Sequence, residues 1–138
     1  MAESVPTSPS FPLIKVAIAD DHARFRVGIR AVLALHTDID LMVEAENGRE
    51  LLDLIVNTIP DVILLDIQMP VMDGIAALPL IREKYPQVKV IILSMHNDAG
   101  MTRHLMERGA DAYLPKNSDV HIIYETIQAC YSQQRRIA

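Results

Sequence analysis

One cysteine in 138 residues, Cys130, leaves this sequence no intramolecular disulfide and no multi-thiolate metal site. Basic clusters are equally scarce. Apart from Arg135-Arg136 there is none, and with a formal charge of −5 the chain by itself is not built to grip nucleic acid or an anionic membrane. No apolar run approaches the roughly 20 residues that a membrane-spanning helix needs. Residues 1–12 carry Ser and Pro where a secretory signal would have a positive start and a long apolar stretch, so they read as a flexible leader. There is no internal repeat. These absences point to a reducing cytoplasmic setting.

What is present is a core. Half of the residues are hydrophobic, and 138 residues make one ordinary domain with little room for a second. Short apolar runs rich in Val and Ile, at Leu13–Ala19, Leu41–Ala45, Val62–Leu65, Val88–Leu93 and Ala112–Leu114, read as buried strands. The stretches between them have helical spacing. Phe25, Ile29, Val32 and Leu33 share one face, as do Leu51, Leu54 and Ile55, while Gly48 and Gly109 punctuate helix ends. A third helix from about Gly74 to Lys84 contains Pro79, which predicts a kink or a later start. A fifth runs from about Asp119 to Gln133 and places Cys130 on an apolar face with Val120, Ile123, Tyr124 and Ile127, as a packed thiol. Five βα repeats with right-handed crossovers predict an α/β fold, a doubly wound parallel sheet with helices on both faces.

In that architecture ligands bind at the C-terminal ends of the strands. Five polar groups fall there: Asp20 and Asp21 after the first strand, Asp66 after the third, Ser94 after the fourth and Lys116 after the fifth. Each alone has a bland reading. Asp20 or Asp21 would cap a helix, Asp66 and Ser94 would be turn residues, and Lys116 would be a solvated surface lysine. Together they suit phosphoryl transfer to a carboxylate. Asp21 and Asp66 are hard oxygen donors for Mg²⁺ or Mn²⁺, and the backbone carbonyl of Gln68 can complete the set. One Asp66 oxygen is then free to attack phosphorus, with Lys116 and the Ser94 hydroxyl holding the phosphoryl oxygens.

The stretches DDHARFRVGIR, LLDIQMPVMDG, LSMHND and RGADAYLPK, in this order and spacing, resemble the receiver domain of two-component response regulators. The likeness is strongest to the LuxR/FixJ (NarL-like) subfamily, and it covers roughly residues 13–134. It implies a flavodoxin-like (βα)5 fold with strand order 2-1-3-4-5. It also implies Asp66 as phosphoacceptor, Asp21, Asp66 and the Gln68 carbonyl as direct metal ligands, and Asp20 as a ligand through water. Ser94 would be the switch hydroxyl, Tyr113 the switch aromatic that turns from solvent toward the core, and Lys116 the phosphate-binding lysine. Gln68, Met95 and His96 would tune the lifetime of the phosphorylated state. A sensor histidine kinase would be the donor, phosphorylation would pair two receivers, and DNA would be reached only through an output domain beyond this chain, whose linker begins near residue 135. Many members of the family carry Lys-Pro at the active-site lysine. Here Pro115 precedes Lys116 and Asn117 follows it, so a trans Lys116-Asn117 bond is expected.

Two rival readings share the fold. An aspartate-nucleophile phosphohydrolase would turn over an external substrate, but its family signature is Asp-x-Asp and the second position here is Gln68. A flavodoxin-like cofactor binder wants a hydroxyl- and glycine-rich loop after the first strand, where this chain has Asp20-Asp21-His22. The chain is thus expected to be a signalling receiver and no enzyme beyond its own phosphorylation and dephosphorylation. The five histidines, His22, His36, His96, His104 and His121, have no ligand spacing and read as exposed or locally packed.

Overall fold

Five strands and five helices alternate along residues 13–96 and 98–134, which the computed structural model describes. They are β1 (Ile14–Ala19), α1 (Ala23–Leu33), β2 (Ile39–Ala45), α2 (Gly48–Ile55), β3 (Val62–Asp66), α3 (Gly74–Lys84), β4 (Lys89–Ser94), α4 (Ala99–Glu107), β5 (Ala112–Pro115) and α5 (Val120–Gln134). The expected leader, 1–12, and the expected tail, 135–138, lie outside the described residues.

All strand pairs are parallel, in the order β2-β1-β3-β4-β5 that was expected. The central strand β3 is buried along its whole length, because helices cover both of its faces and every residue from Val62 to Leu65 is apolar. One core layer joins Ile63, Leu65 and Ile92 of the sheet to Leu51 and Ile55 of α2, Leu78 and Ile81 of α3 and Leu105 of α4. The other joins Ile18, Leu64 and Ile91 to Ile29 and Leu33 of α1 and to Ile123, Ile127 and the buried Cys130 of α5. The chain therefore sends α1 to one face and α2 to the other, which makes the gap between β1 and β3 the topological switch point.

One sequence expectation is corrected and one is narrowed. β2 begins at Ile39, two residues earlier than its apolar run, because this edge strand is only partly covered and its pattern is amphipathic. α3 spans the expected Gly74–Lys84, so of the two outcomes that Pro79 allowed the later start is not the one taken: Asp73 caps the helix by accepting the Ala76 N–H at 2.9 Å, and Pro79 lies inside it at an exposed position. Proline in a helix interior costs about 3 kcal/mol. Three fully buried neighbours, Ala77, Leu78 and Ile81, hold the helix on the sheet regardless. Lys116-Asn117 is trans, as expected.

The β3–α3 loop is strained and tightly packed. Met72 N–H donates to the Pro70 carbonyl at 2.7 Å across Val71, whose φ of 68° is unfavourable for a β-branched residue. Gly74 N–H then donates to the Ile67 carbonyl at 2.8 Å, and a Cβ on Gly74 would lie 2.3 Å from the backbone oxygen of Asp66. Glycine here is a steric necessity that keeps α3 against the end of β3. Gly74→Ala is expected to cost about 2 kcal/mol or more in denaturant unfolding, as overpacking against backbone does. Val71→Gly is expected to gain about 1 kcal/mol in the same assay, relief of strain outweighing the entropy glycine adds to the unfolded chain.

Candidate functional site

The sheet register sets the site. Ala19 pairs with Leu65, Asp66 with Leu93 and Ser94 with Pro115, so Asp20, Asp66, Ser94 and Lys116 end four adjacent strands at one edge. Backbone bonds fix the two outer members. Asp20 N–H donates to the Ala45 carbonyl at 2.9 Å, and Lys116 N–H donates to the Ser94 carbonyl at 2.8 Å.

Asp20, Asp66, Ser94 and Lys116 are all buried. The Lys116 ammonium lies 2.7 Å from Asp20 Oδ2 and 3.6 Å from Asp66 Oδ2. Both carboxylate oxygens are thus in charge contact with Lys116, and neither has a hydrogen-bond partner. Burial raises the Asp66 pKa to about 6, and the Asp20 and Asp21 charges push the same way against Lys116 and the Gln68 backbone N–H. Asp21 is partly exposed, its side chain at the mouth of the pocket. Neither Asp20 nor Asp21 caps α1. The cap position is His22, which makes no side-chain cap bond, and Asp20 Oδ1 instead accepts the His22 N–H at 2.8 Å.

His22 is exposed, as expected of the histidines, but its ring also reaches the strand-end acids. Its Nδ1 lies 3.2 Å from Asp20 Oδ1, 3.4 Å from Asp21 Oδ1 and 3.0 Å from Lys116 Nζ. Asp20, Asp21, His22 and Asp66 each offer a donor atom, all within 4.8 Å of one another. The available signal was position, since His22 directly follows the two strand-end acids. Arg26 was also passed over. Its guanidinium donates to the Asp20 backbone oxygen, and it lies 3.9 Å from Glu44 and from Glu46.

Ser94 faces the other way in this structure. Its Oγ accepts from His96 N–H at 3.0 Å and donates to the His96 carbonyl at 3.1 Å. The Tyr113 hydroxyl donates to that same carbonyl at 3.0 Å. Tyr113 is thus half-buried and tethered, where the sequence reading started it in solvent. Beside it a cavity of about 140 Å³ is lined by Gln68, Ser94, His96, Met101 and Tyr113 among others, and Met95 is exposed and does not line it.

Residues 16–128 match the family model described as the response regulator receiver domain. This chain belongs to that family. The receiver is 36% identical over 115 residues to the transcriptional regulatory protein DegU of Brevibacillus brevis, covering 83% of this chain and 49% of that protein. It is 31% identical over 124 residues to a probable transcriptional regulatory protein, NarL, of Mycobacterium tuberculosis, covering 90% of this chain and 57% of that one. The chain thus spans about half the length of such curated relatives. Among solved structures, the receiver domain of the Mycobacterium tuberculosis NarL superposes with a TM-score of 0.83 at 30% identity, over 88% of this chain and 98% of that one. A LuxR-family DNA-binding response regulator from Staphylococcus aureus gives 0.81 at 31% identity, over 86% and 99%.

The Asp66 environment predicts a pH dependence. A carboxyl whose folded pKa is above its unfolded value of 3.8 favours the folded state most below that value, and the advantage is lost as pH rises through about 6. Asp66→Asn is therefore expected to flatten the metal-free stability curve between pH 4 and 7, and to stabilise the protein by about 1–2 kcal/mol at pH 8 after allowance for solvent screening. Chemical denaturation at a series of pH values checks it. A steeper curve in Asp66→Asn would contradict this account of Asp66.

Proposed function

We propose that this receiver accepts a phosphoryl group on Asp66 from the phosphohistidine of a sensor histidine kinase. The observation that carries the reading is Asp66 Oδ2, a buried carboxylate oxygen with no hydrogen-bond partner, 3.6 Å from the Lys116 ammonium at the ligand-binding end of the sheet. In the transfer an Asp66 oxygen forms the new P–O bond while the donor's P–N bond breaks, and the imidazole keeps the electron pair. Lys116 holds phosphoryl oxygens by charge, and Ser94 Oγ supplies a hydroxyl to another.

The donor set suits a divalent cation. Clustered carboxylates that share one ammonium, with the Asp66 pKa raised by burial and then by neighbouring anions, are what a hard cation would relieve. Asp21, Asp66 and the Gln68 carbonyl would hold Mg²⁺ or Mn²⁺ directly, and Asp20 would do so through water. The ion, when bound, neutralises charge shared by the carboxylates and the phosphoryl oxygens. The chain's own chemistry is limited to its phosphorylation and dephosphorylation, with Gln68, Met95 and His96 setting the lifetime.

The signal leaves through the His96 carbonyl. Drawing Ser94 Oγ toward the phosphoryl group breaks its two bonds to His96 and leaves that carbonyl to the Tyr113 hydroxyl. Tyr113 then settles differently and changes the α4, β5 and α5 surface, and two receivers would pair through that surface or through the α1 and α5 face. Residues 13–134 form the receiver unit in this reading, with DNA contacted only through an output domain joined by a linker from residue 135. The setting is cytoplasmic.

An aspartate-nucleophile phosphohydrolase is the alternative, favoured only by the strand-end acid. Incubation with acetyl phosphate and Mg²⁺ separates the two. One added phosphoryl mass is expected, absent in Asp66→Asn and reduced at least about tenfold in rate by Lys116→Ala, the scale on which single charge-stabilising groups act. Sustained turnover of a phosphate ester with no adduct would support the hydrolase. An adduct that survives Asp66→Asn would overturn Asp66 as acceptor.

A further inference from the structure

His22 does not serve its helix. The cap position of α1 favours Ser, Thr, Asp or Asn, and the imidazole there makes no cap bond. Its Nδ1 instead faces two kinds of neighbour that one ring nitrogen cannot satisfy together. Lys116 Nζ at 3.0 Å has only N–H groups to offer and needs the Nδ1 lone pair, whereas Asp20 Oδ1 at 3.2 Å and Asp21 Oδ1 at 3.4 Å need an Nδ1 proton. The ammonium stands where a cation would, in contact with Asp20, Asp66 and His22 together. Independently of the acids' clustering, Asp66 Oδ2 is buried in this pocket without a hydrogen bond.

We propose that His22 Nδ1 is a fourth protein donor to the cation of this pocket, and that the site consequently prefers Mn²⁺ and later divalent metals over Mg²⁺. The inference rests on the metal-binding reading above and deepens it. The donor atoms of Asp20, Asp21, His22 and Asp66 lie within 4.8 Å of one another; two ligands at about 2.2 Å from one ion stand at most about 4.4 Å apart, so with Asp20 reached through water a small closing movement of the His22 ring brings Nδ1 into the set. A cation resolves the conflict at Nδ1 by taking the lone pair while neutralising both acids, and it frees Lys116 for the phosphoryl oxygens. Imidazole is a poor partner for Mg²⁺, which keeps oxygen ligands and water, and a good one for metals further along the divalent series. The His22 side chain is 61% exposed, so its ring can adjust toward an ion without disturbing the core.

Mn²⁺ bound to the unphosphorylated protein tests this without any activity assay. Pulsed electron paramagnetic resonance is expected to show a directly coordinated ¹⁴N that disappears in His22→Ala and persists in His36→Ala. Competition titration is expected to show the Mn²⁺ preference over Mg²⁺ falling by at least about tenfold in His22→Ala and His22→Asn, since groups that only support a ligand already cost 10–100-fold in affinity. Circular dichroism confirms that each variant is folded. Mn²⁺ binding that is abolished by Asp21→Asn yet carries no ¹⁴N coupling overturns this inference and leaves the metal-binding reading intact. Mn²⁺ binding indifferent to both Asp21→Asn and Asp66→Asn overturns both.

Discussion

The Lys116 ammonium among buried carboxylates is the constraint on which the rest of this structure depends. Asp20 and Asp66 share a pocket from which water is largely excluded, and one ammonium at 2.7 and 3.6 Å cannot neutralise two full charges. Burial, and after it the neighbouring negative charge that one ammonium leaves uncompensated, raises the Asp66 pKa to about 6. Holding that imbalance requires rigid supports. Asp20 and Lys116 come from strands separated by β3 and β4, so the whole sheet and both core layers are needed to keep the charges together.

The loops at the same edge are closely tied to these charged groups. Gly74 locks the β3–α3 loop against the Asp66 backbone, and the strained turn at Val71 lies in that loop. On the other side, the His96 carbonyl takes donors from both Ser94 and Tyr113, so one backbone oxygen joins the pocket to a half-buried aromatic on β5.

Much of this was legible beforehand. Apolar runs located all five strands because buried parallel strands tolerate little else, and the edge strand β2 was read short because half of it faces solvent. Asp20, Asp21, Asp66, Ser94 and Lys116 could be picked out because strand ends are fixed points of a known topology. His22 was set aside because metal-ligand spacing was sought along the chain, whereas its partners Asp66 and Lys116 are 44 and 94 residues away. The bounds of α3, Gly74 to Lys84, were legible too, and the buried face of the helix holds it in place through Pro79.

By itself the sequence determined the fold class, the family likeness and the roster of acids, hydroxyl and lysine, since hydrophobic periodicity and strand-end position are properties of the chain. Which oxygens are left unpartnered, where Lys116 Nζ rests between two acids, and which way the His22 ring and the Tyr113 hydroxyl turn were decided only in three dimensions. Those outcomes depend on distances of a few ångströms between groups far apart in sequence, and on how much water the packed helices exclude from between them.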